Sequence, residues 1–437
     1  MSLDRFRIGF VPLVDAALPI LAHELGFAEE QGVGVEMVRD VTWAAVRDRL
    51  LYGHTDAAHM VAPLAIATAL GRDRPAVPMA VPFVLGLNGN AITFSTALGE
   101  ACGLGEGLGD PIAVGAALRA VAARQRLRFG VVHRHSSHNY MLRYWLAGVG
   151  IRPDTDVDIV VTSPPFAADA LAAGEVDGIC VGEPWNSIAV DRGVGRIALA
   201  TAQIWRRGVE KVLAMRADQA EERRDAVLRL IRALHAAAAH FIDPETVEQS
   251  AEILSRPHYL DAPMGAILRA ITDRIRVVPG GEPVHYPDFM FQYREAANFP
   301  WRSQAGWLHA QMVRWEGLPF SNADAATAQG CSAPTCTAPR WPDRERRCRA
   351  RVPSWKARWS SRSGRDRRKG GWCWGATGSS TGGRSIRMIF RGIWRHFLRF
   401  LPQRGGGRPS GLTEGVTLSI AGHPPTRCAR HLLPGEE

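Results

Sequence analysis

Short β-like runs alternate with helical runs through most of the first 241 residues. The candidate strands are 5–11, 33–38, 56–61, 79–84, 90–94, 127–132, 156–161, 176–181 and 195–200. Between them fall Ala/Leu/Arg-rich stretches such as 14–26, 43–52, 112–124, 137–148, 165–173 and 217–241, which read as helices. This rhythm predicts an α/β fold with mostly parallel sheets. At 437 residues the chain can form two domains or one large two-lobed domain. With 46% hydrophobic and 22% charged residues, it is neither collagen-like, mucin-like nor wholly disordered. No apolar run reaches the roughly 18 residues of a membrane span.

The formal net charge of +10 would by itself point to an anionic partner such as nucleic acid. Its distribution changes that reading. Residues 322–437 carry 22 Lys and Arg against 7 Asp and Glu, and residues 1–321 carry 31 against 36. The body is therefore mildly acidic, and the excess positive charge lies in the tail. Cys102 and Cys180 stand far apart in the body; Cys331, Cys336, Cys348, Cys373 and Cys428 lie in the tail. Two distant body cysteines fit a reducing compartment rather than a disulfide framework. The chain opens Met1-Ser2-Leu3-Asp4-Arg5, and Asp15 and Pro19 interrupt any apolar signal core. No signal peptide is read, and the expected location is cytoplasmic.

An internal echo is present. Asp48, Leu50, Gly53, Asp56 and Pro63 match Asp169, Leu171, Gly174, Asp177 and Pro184 at one constant offset. Gly53 and Gly174 are expected to end helices in left-handed geometry, with Asp56 and Asp177 opening the next strand. A common helix–turn–strand unit would give the same pattern. The functional reading is two similar α/β lobes with a cleft between them, where loops at the carboxyl ends of strands bind small molecules. Candidate loops are Asp40 to Trp43, Leu87 to Asn90, His133 to Asn139 and Gly182 to Asn186.

The chemistry in these loops favours binding over catalysis. His133, His135 and His138 cluster, but no HExxH or CxxC spacing accompanies them, so no metal is expected. No GxSxG, Walker A or GxGxxG motif occurs. No catalytic residue and no cofactor is expected, and the protein is read as a non-enzyme. Asn88-Gly89-Asn90 has turn character. Ser136-Ser137-His138-Asn139 reads as a capped helix start, whose free N–H groups could also face an anion. Among the 31 basic residues of 1–321, only Lys211 is a lysine. A compact ammonium, with indole, amide and imidazole donors, suits a small monovalent oxyanion; a phosphate or dicarboxylate more often recruits an arginine fork.

Several stretches carry a family resemblance: Gly53 to Met60, Leu87 to Thr93, Ser137 to Leu146, Gly178 to Asn186, Ile204-Trp205, and Glu210 to Leu213. Here the chain resembles the nitrate- and bicarbonate-binding relatives of ABC-transporter substrate-binding proteins, over about residues 5–320. The resemblance implies a two-lobed type II periplasmic-binding-protein fold. One lobe would be 1–94 plus 203–320, and the other 95–202. It implies an anion held between the lobes by Trp43, Asn90, His138 and Lys211, although transport members carry a glutamine near the position of Asn90. Asn88, Pro164, Glu183 and Trp185 would line the cleft. With neither signal nor linker, the chain resembles most the cytoplasmic nitrate/nitrite sensors of the family, the NasS type. Their implied partner is an RNA-binding antiterminator response regulator of the NasT type, released when anion closes the cleft. The sensor itself need not touch nucleic acid. A transport binding component for nitrate or bicarbonate is the alternative. An enzyme on the same fold, like the thiamin-pyrimidine synthase relatives, would need a Cys-rich motif that Cys102 and Cys180 do not form. Lys211→Ala is expected to abolish anion binding and spare the fold.

Residues 331–437 combine Arg clusters, scattered Trp and Cys, and Gly/Ser runs without sustained period. A nucleic-acid-binding basic arm is one reading. A frameshift near Gln329 or Gly330 explains more. Family-like segments Val-Phe-Arg-Pro-Asp-Leu-Tyr-Arg and Phe-Asp-Pro-Asp-Asp-Ile-Pro-Gly-Tyr, in suitable codons read one base later, yield Cys331 to Thr337 and Ser385 to Ile393. The tail is then expected to be non-native or disordered, its charge an accident. The nucleotide sequence tests this.

Overall fold

The computed structural model describes residues 3–332. Beyond Ser332, the expectations for the 331–437 tail lie outside the described residues. Cys331 is inside them: it closes the helix Asn322–Cys331 and is buried.

The strands are β1 (Asp4–Phe10), β2 (Val33–Arg39), β3 (Ala57–Val61), β4 (Met79–Asn88), β5 (Asn90–Ser95), β6 (Leu127–Val131), β7 (Val157–Val161), β8 (Gly178–Gly182), β9 (Gly195–Ala200) and β10 (Val209–Arg216), with short pieces after them. They form two sheets. The first runs Met290–Phe291, β4, β10, β3, β1, β2, and the second runs β7, β6, β8, β5, β9. β1 pairs parallel with β2 and β3, and β6 pairs parallel with β7 and β8. β10 and β5 run antiparallel to both of their neighbours. The sheets are therefore mixed, not mostly parallel. β5 follows β4 after Gly89 alone, and β10 follows β9 across 201–208 without an α-helix, so the chain passes from one sheet to the other at both connections.

β5 also corrects a boundary. It pairs with β8 and β9 in the second sheet, although 1–94 was assigned to the first lobe. The chain changes sheets at Asn88 (φ 61°) and Gly89 (φ 80°). Two consecutive left-handed residues reverse the chain too sharply for one strand to continue.

The echo in the sequence is an echo in space. Gly53 (φ 73°) and Gly174 (φ 69°) follow the helices Trp43–Leu51 and Ala167–Ala172 in left-handed geometry. Asp56 accepts a bond from Arg7 N–H at 2.8 Å, and Asp177 accepts one from Arg128 N–H at 2.7 Å. Each carboxylate thus ties the start of one strand to the strand beside it. The order β4-β10-β3-β1-β2 matches β9-β5-β8-β6-β7 place for place. Lys211 then stands opposite Val61, and Asn90 opposite Gly182, at matching points of the two sheets. The offset that relates the glycines also relates these two residues.

The first sheet is covered by helices Ala17–Glu24 and Arg224–Phe241. The second of these buries Val227, Leu230, Ile231, Leu234 and Phe241, one stripe at 3–4 residue spacing. Each such side chain contributes about 1.5–3 kcal/mol by burial. The expected single helix 217–241 breaks at Arg223, whose φ/ψ of −104°/27° is not helical. The second sheet packs Phe94, Phe129, Leu118 and Trp145 into its own core. No helix among the described residues is long and apolar enough to cross a membrane.

Candidate functional site

Local signals place each donor. Thr42 caps the helix Trp43–Leu51, its hydroxyl accepting from Ala45 N–H at 3.2 Å. This fixes Trp43 in the first turn, 1% exposed, and its indole Nε1–H has no partner among the described residues. Ser136 caps the helix Ser137–Gly148 by accepting from Asn139 N–H at 3.1 Å, as its spacing predicts. His138 sits in that first turn, fully buried, with neither ring nitrogen hydrogen-bonded. Asn90 opens β5 with both side-chain amide atoms buried and unpartnered.

Lys211 lies in the middle of β10 and is 0% exposed. Its ammonium contacts Asp15 Oδ2 at 2.7 Å and Glu210 Oε1 at 2.9 Å. It also stands 5.3 Å from the centre of the Trp43 ring. His59 on β3 donates from Nε2 to Asp15 Oδ1 at 2.8 Å, with its ring 5.2 Å from that of Trp43. His138 Nδ1 approaches Glu210 Oε1 at 3.1 Å from the second-sheet side. Gly182 on β8 completes the arrangement. A Cβ there would lie 3.2 Å from Asn90 Oδ1 and 3.5 Å from Asp15 Oδ2. Trp43, His138 and Lys211 are thus linked through Asp15, His59 and Glu210, and Asn90 reaches the same place across Gly182.

Charge is concentrated here in buried side chains. Burial works to raise the Asp15 carboxyl, but Lys211 and His59 outweigh it and hold it well below the usual carboxylate range. Burial also opposes the Glu210 carboxylate, and His138 and Lys211 bring it below its ordinary value. Burial would lower Lys211; Asp15 and Glu210 reverse that and raise it. Burial pushes His138 down to about 4 against the pull of Glu210, and it lowers His59 against Asp15. The cluster thus holds two carboxylates, one ammonium and two neutral imidazoles near neutral pH.

The other expected cleft residues do different work. Asn88 commits its amide: Nδ2 donates to Arg206 O at 3.1 Å and Asp288 O at 2.9 Å, and Oδ1 accepts from Gly208 N–H at 3.1 Å. It holds the turn between the sheets and has no donor left for a ligand. Trp185 donates from Nε1 to Pro12 O at 2.8 Å, a bond from the second sheet to the loop after β1. Glu183 is 1% exposed; Oε2 accepts from Ser187 N–H at 3.2 Å and Oε1 has no partner. Burial pushes it up to about 7. Pro164 is buried and opens the short turn Pro164–Phe166; the internal offset makes it the counterpart of Trp43.

The three clustered histidines separate. His138 faces Glu210, whereas His135 sits 2.9 Å from both Asp73 Oδ2 and Glu316 Oε1. His133 Nδ1 accepts from His135 N–H at 3.0 Å.

Asp15, His59 and Glu210 are the site residues that reading the sequence did not single out. Asp15 served only as an interruption of an apolar run, and strand β10 itself went unrecognised. Glu210-Lys211 breaks its hydrophobic pattern, yet both residues are fully buried. Charges inside apolar runs were the available signal, since such residues are rarely buried unless paired.

The profile of the NMT1-like family matches residues 2–255. The chain belongs to the NMT1-like family. One relative is the nitrate/nitrite binding protein NrtA of Nostoc sp. (strain PCC 7120), 30% identical over 320 residues, covering 72% of this chain and 71% of NrtA. The nitrate import ATP-binding protein NrtC of Synechocystis sp. is 33% identical over 317 residues, 72% of this chain and 46% of NrtC. The chain therefore spans less than half the length of NrtC. The crystal structure of the periplasmic nitrate-binding protein NrtA from Synechocystis PCC 6803 aligns with a TM-score of 0.71 and 25% identity, over 80% of this chain and 90% of that one. The alkanesulfonate-binding protein SsuA from Xanthomonas axonopodis pv. citri shares the fold at 17% identity and a TM-score of 0.51, over 77% of this chain and 98% of SsuA. This NMT1-like chain thus has the mixed α/β fold of periplasmic binding proteins.

Proposed function

We propose that the two sheets are the cores of two lobes and that nitrate or nitrite binds between them. Trp43, Asn90, His138 and Lys211 are its donors. The observation that carries this is the convergence of buried donors lacking partners, from both sheets, around one buried ammonium. Unpaired buried polar groups are costly, so a site that keeps several of them is made for a ligand that completes them. A monovalent planar oxyanion fits that donor set. The names of the NrtA relatives support the choice of anion.

In this reading the protein is a cytoplasmic sensor. It holds an RNA-binding antiterminator response regulator and releases it when anion closes the lobes. The names of the relatives, nitrate/nitrite binding and nitrate import, favour a second reading: the binding component of a nitrate or bicarbonate transporter. The readings part on one measurement, whether nitrate dissociates a preformed complex with the regulator.

The anion itself is tested by thermal unfolding with nitrate, nitrite, bicarbonate and chloride at constant ionic strength. A ligand that binds only the folded state at 100 times its Kd stabilises by about 2.7 kcal/mol. The expected outcome is a selective rise in Tm with nitrate or nitrite. A cooperative melt that no anion shifts more than chloride does would refute the assignment.

A further inference from the structure

We propose that the chain takes up a proton together with its anion, and that His138 carries it. The proposal rests on the reading of the Asp15–Lys211 cluster as the anion site.

Charge balance is the first reason. Asp15 and Glu210 both contact the Lys211 ammonium, so the ionised cluster has one negative charge in excess. Asp15 is 3% exposed, and Glu210, Lys211, His59 and His138 are 0% exposed. A monoanion entering this site would add a second negative charge beside two buried carboxylates. Lys211 is already shared between those two carboxylates.

Donor geometry is the second reason, and it selects His138. A neutral imidazole has one N–H and one lone pair. The single N–H of neutral His59 is already committed, since Nε2–H donates to Asp15 and only Nδ1 is left without a partner. His138 has made no such commitment. Both its nitrogens are buried without a hydrogen bond, and Nδ1 lies 3.1 Å from Glu210 Oε1. With its proton on Nδ1 it offers the anion a lone pair; with its proton on Nε2 it turns a lone pair on the carboxylate. Only the imidazolium can donate to both. One proton thus corrects the charge and the donor count together.

The groups around His138 are consistent with this. Glu210 and Lys211 face it from β10, and Asp15 acts on it from the loop after β1. Cys180 on β8, near Glu210 and Lys211, has its thiol raised well above the ordinary value by burial and stays neutral. In the loop before its helix, His135 contacts Asp73 and Glu316 and His133 accepts from His135 N–H, and the helix Arg302–Glu316 directs Glu316 to Tyr140 and His135. Burial pushes His138 down to about 4, so its imidazole is neutral near pH 7 before a proton is taken up with the anion. Anion affinity should therefore rise as pH falls toward that value, by up to roughly tenfold per pH unit.

The test is calorimetric titration of the 437-residue chain with nitrate, in phosphate and in Tris at the same pH. These buffers differ widely in ionisation heat. Nitrate, the anion of a strong acid, carries no proton itself. About one proton taken up per nitrate is expected, with Kd weakening from pH 6 to pH 8 by up to roughly tenfold per unit. Equal heats in both buffers and a pH-independent Kd overturn the proposal and leave the anion site standing. A cooperatively melting chain that binds none of nitrate, nitrite and bicarbonate at any pH overturns the site and the proposal together. Nitrate bound by the variant His138→Gln should bring no proton; uptake that persists there overturns the assignment to His138. Should that variant fail to fold, the wild-type heats decide.

Discussion

At the scale of single residues, the site is defined by what is buried with what. Lys211 was expected to lie in an open cleft where removal spares the fold. It is instead fully buried between two carboxylates. Lys211→Ala should therefore abolish anion binding and also cost about 3–5 kcal/mol, because it leaves buried charge uncompensated. Urea denaturation checks this, and an unchanged midpoint would contradict the buried cluster. Gly182 makes a different point. A Cβ there would fall 2.9 Å from Leu13 Cδ2 and 3.2 Å from Asn90 Oδ1. Gly182→Val should displace the Asn90 amide and suppress the anion-induced rise in Tm; a full rise would remove Asn90 from the site. Glu183 gives a pH signature. Its folded value of about 7 lies above its ordinary value, so folding favours the protonated form. The stability this group contributes is complete below the unfolded value and is lost as pH rises through 7. Glu183→Gln stays neutral, so its advantage over wild type should grow between pH 5 and pH 8.5, reaching at most about 3 kcal/mol. Equal differences at both pH values would show that Glu183 ionises freely in the folded chain.

At the scale of elements, a repeated helix–turn–strand unit explains where the site sits. Gly53 and Gly174 end equivalent helices, and Asp56 and Asp177 tie equivalent strands. An alanine in either left-handed position loses the freedom that glycine supplies. Gly53→Ala and Gly174→Ala should each cost about 1 kcal/mol. Their costs should add, since the two glycines stand in turns that lead into strands of different sheets. Urea denaturation of the single and double variants checks both statements, and strong coupling would mean that the units are not independent. The unit was legible in the sequence because its signals are local. The strand β10 was not. Its Glu210-Lys211 pair reads as solvated, and Asp15 and His138, distant in sequence, make it compatible with a central strand.

At the scale of the whole molecule, two bonds join the segment after β1 to the segment after β8. Val14 N–H donates to Glu183 O at 2.8 Å, and Trp185 Nε1–H donates to Pro12 O at 2.8 Å. Trp185→Phe keeps the ring and removes one of these bonds. It should weaken anion affinity several-fold, about the 0.5–1.5 kcal/mol of one hydrogen bond, mainly through faster dissociation. Stopped-flow release of nitrate tests this; an unchanged rate would mean that the bond persists when the site opens.

The sequence by itself determined the α/β rhythm, the left-handed glycines, the capped helix start at Ser136, and a list of donors suited to a small anion. Each of these follows from residue type and short spacing, where backbone preference and side-chain chemistry act alone. The tertiary structure decided that β5 and β10 pair in the sheets they cross into, and that the Asn88 amide is committed to Arg206, Gly208 and Asp288. It also decided that Lys211 is locked between Asp15 and Glu210. Those outcomes depend on partners up to two hundred residues away, and on burial, which turns ordinary charges into a coupled set.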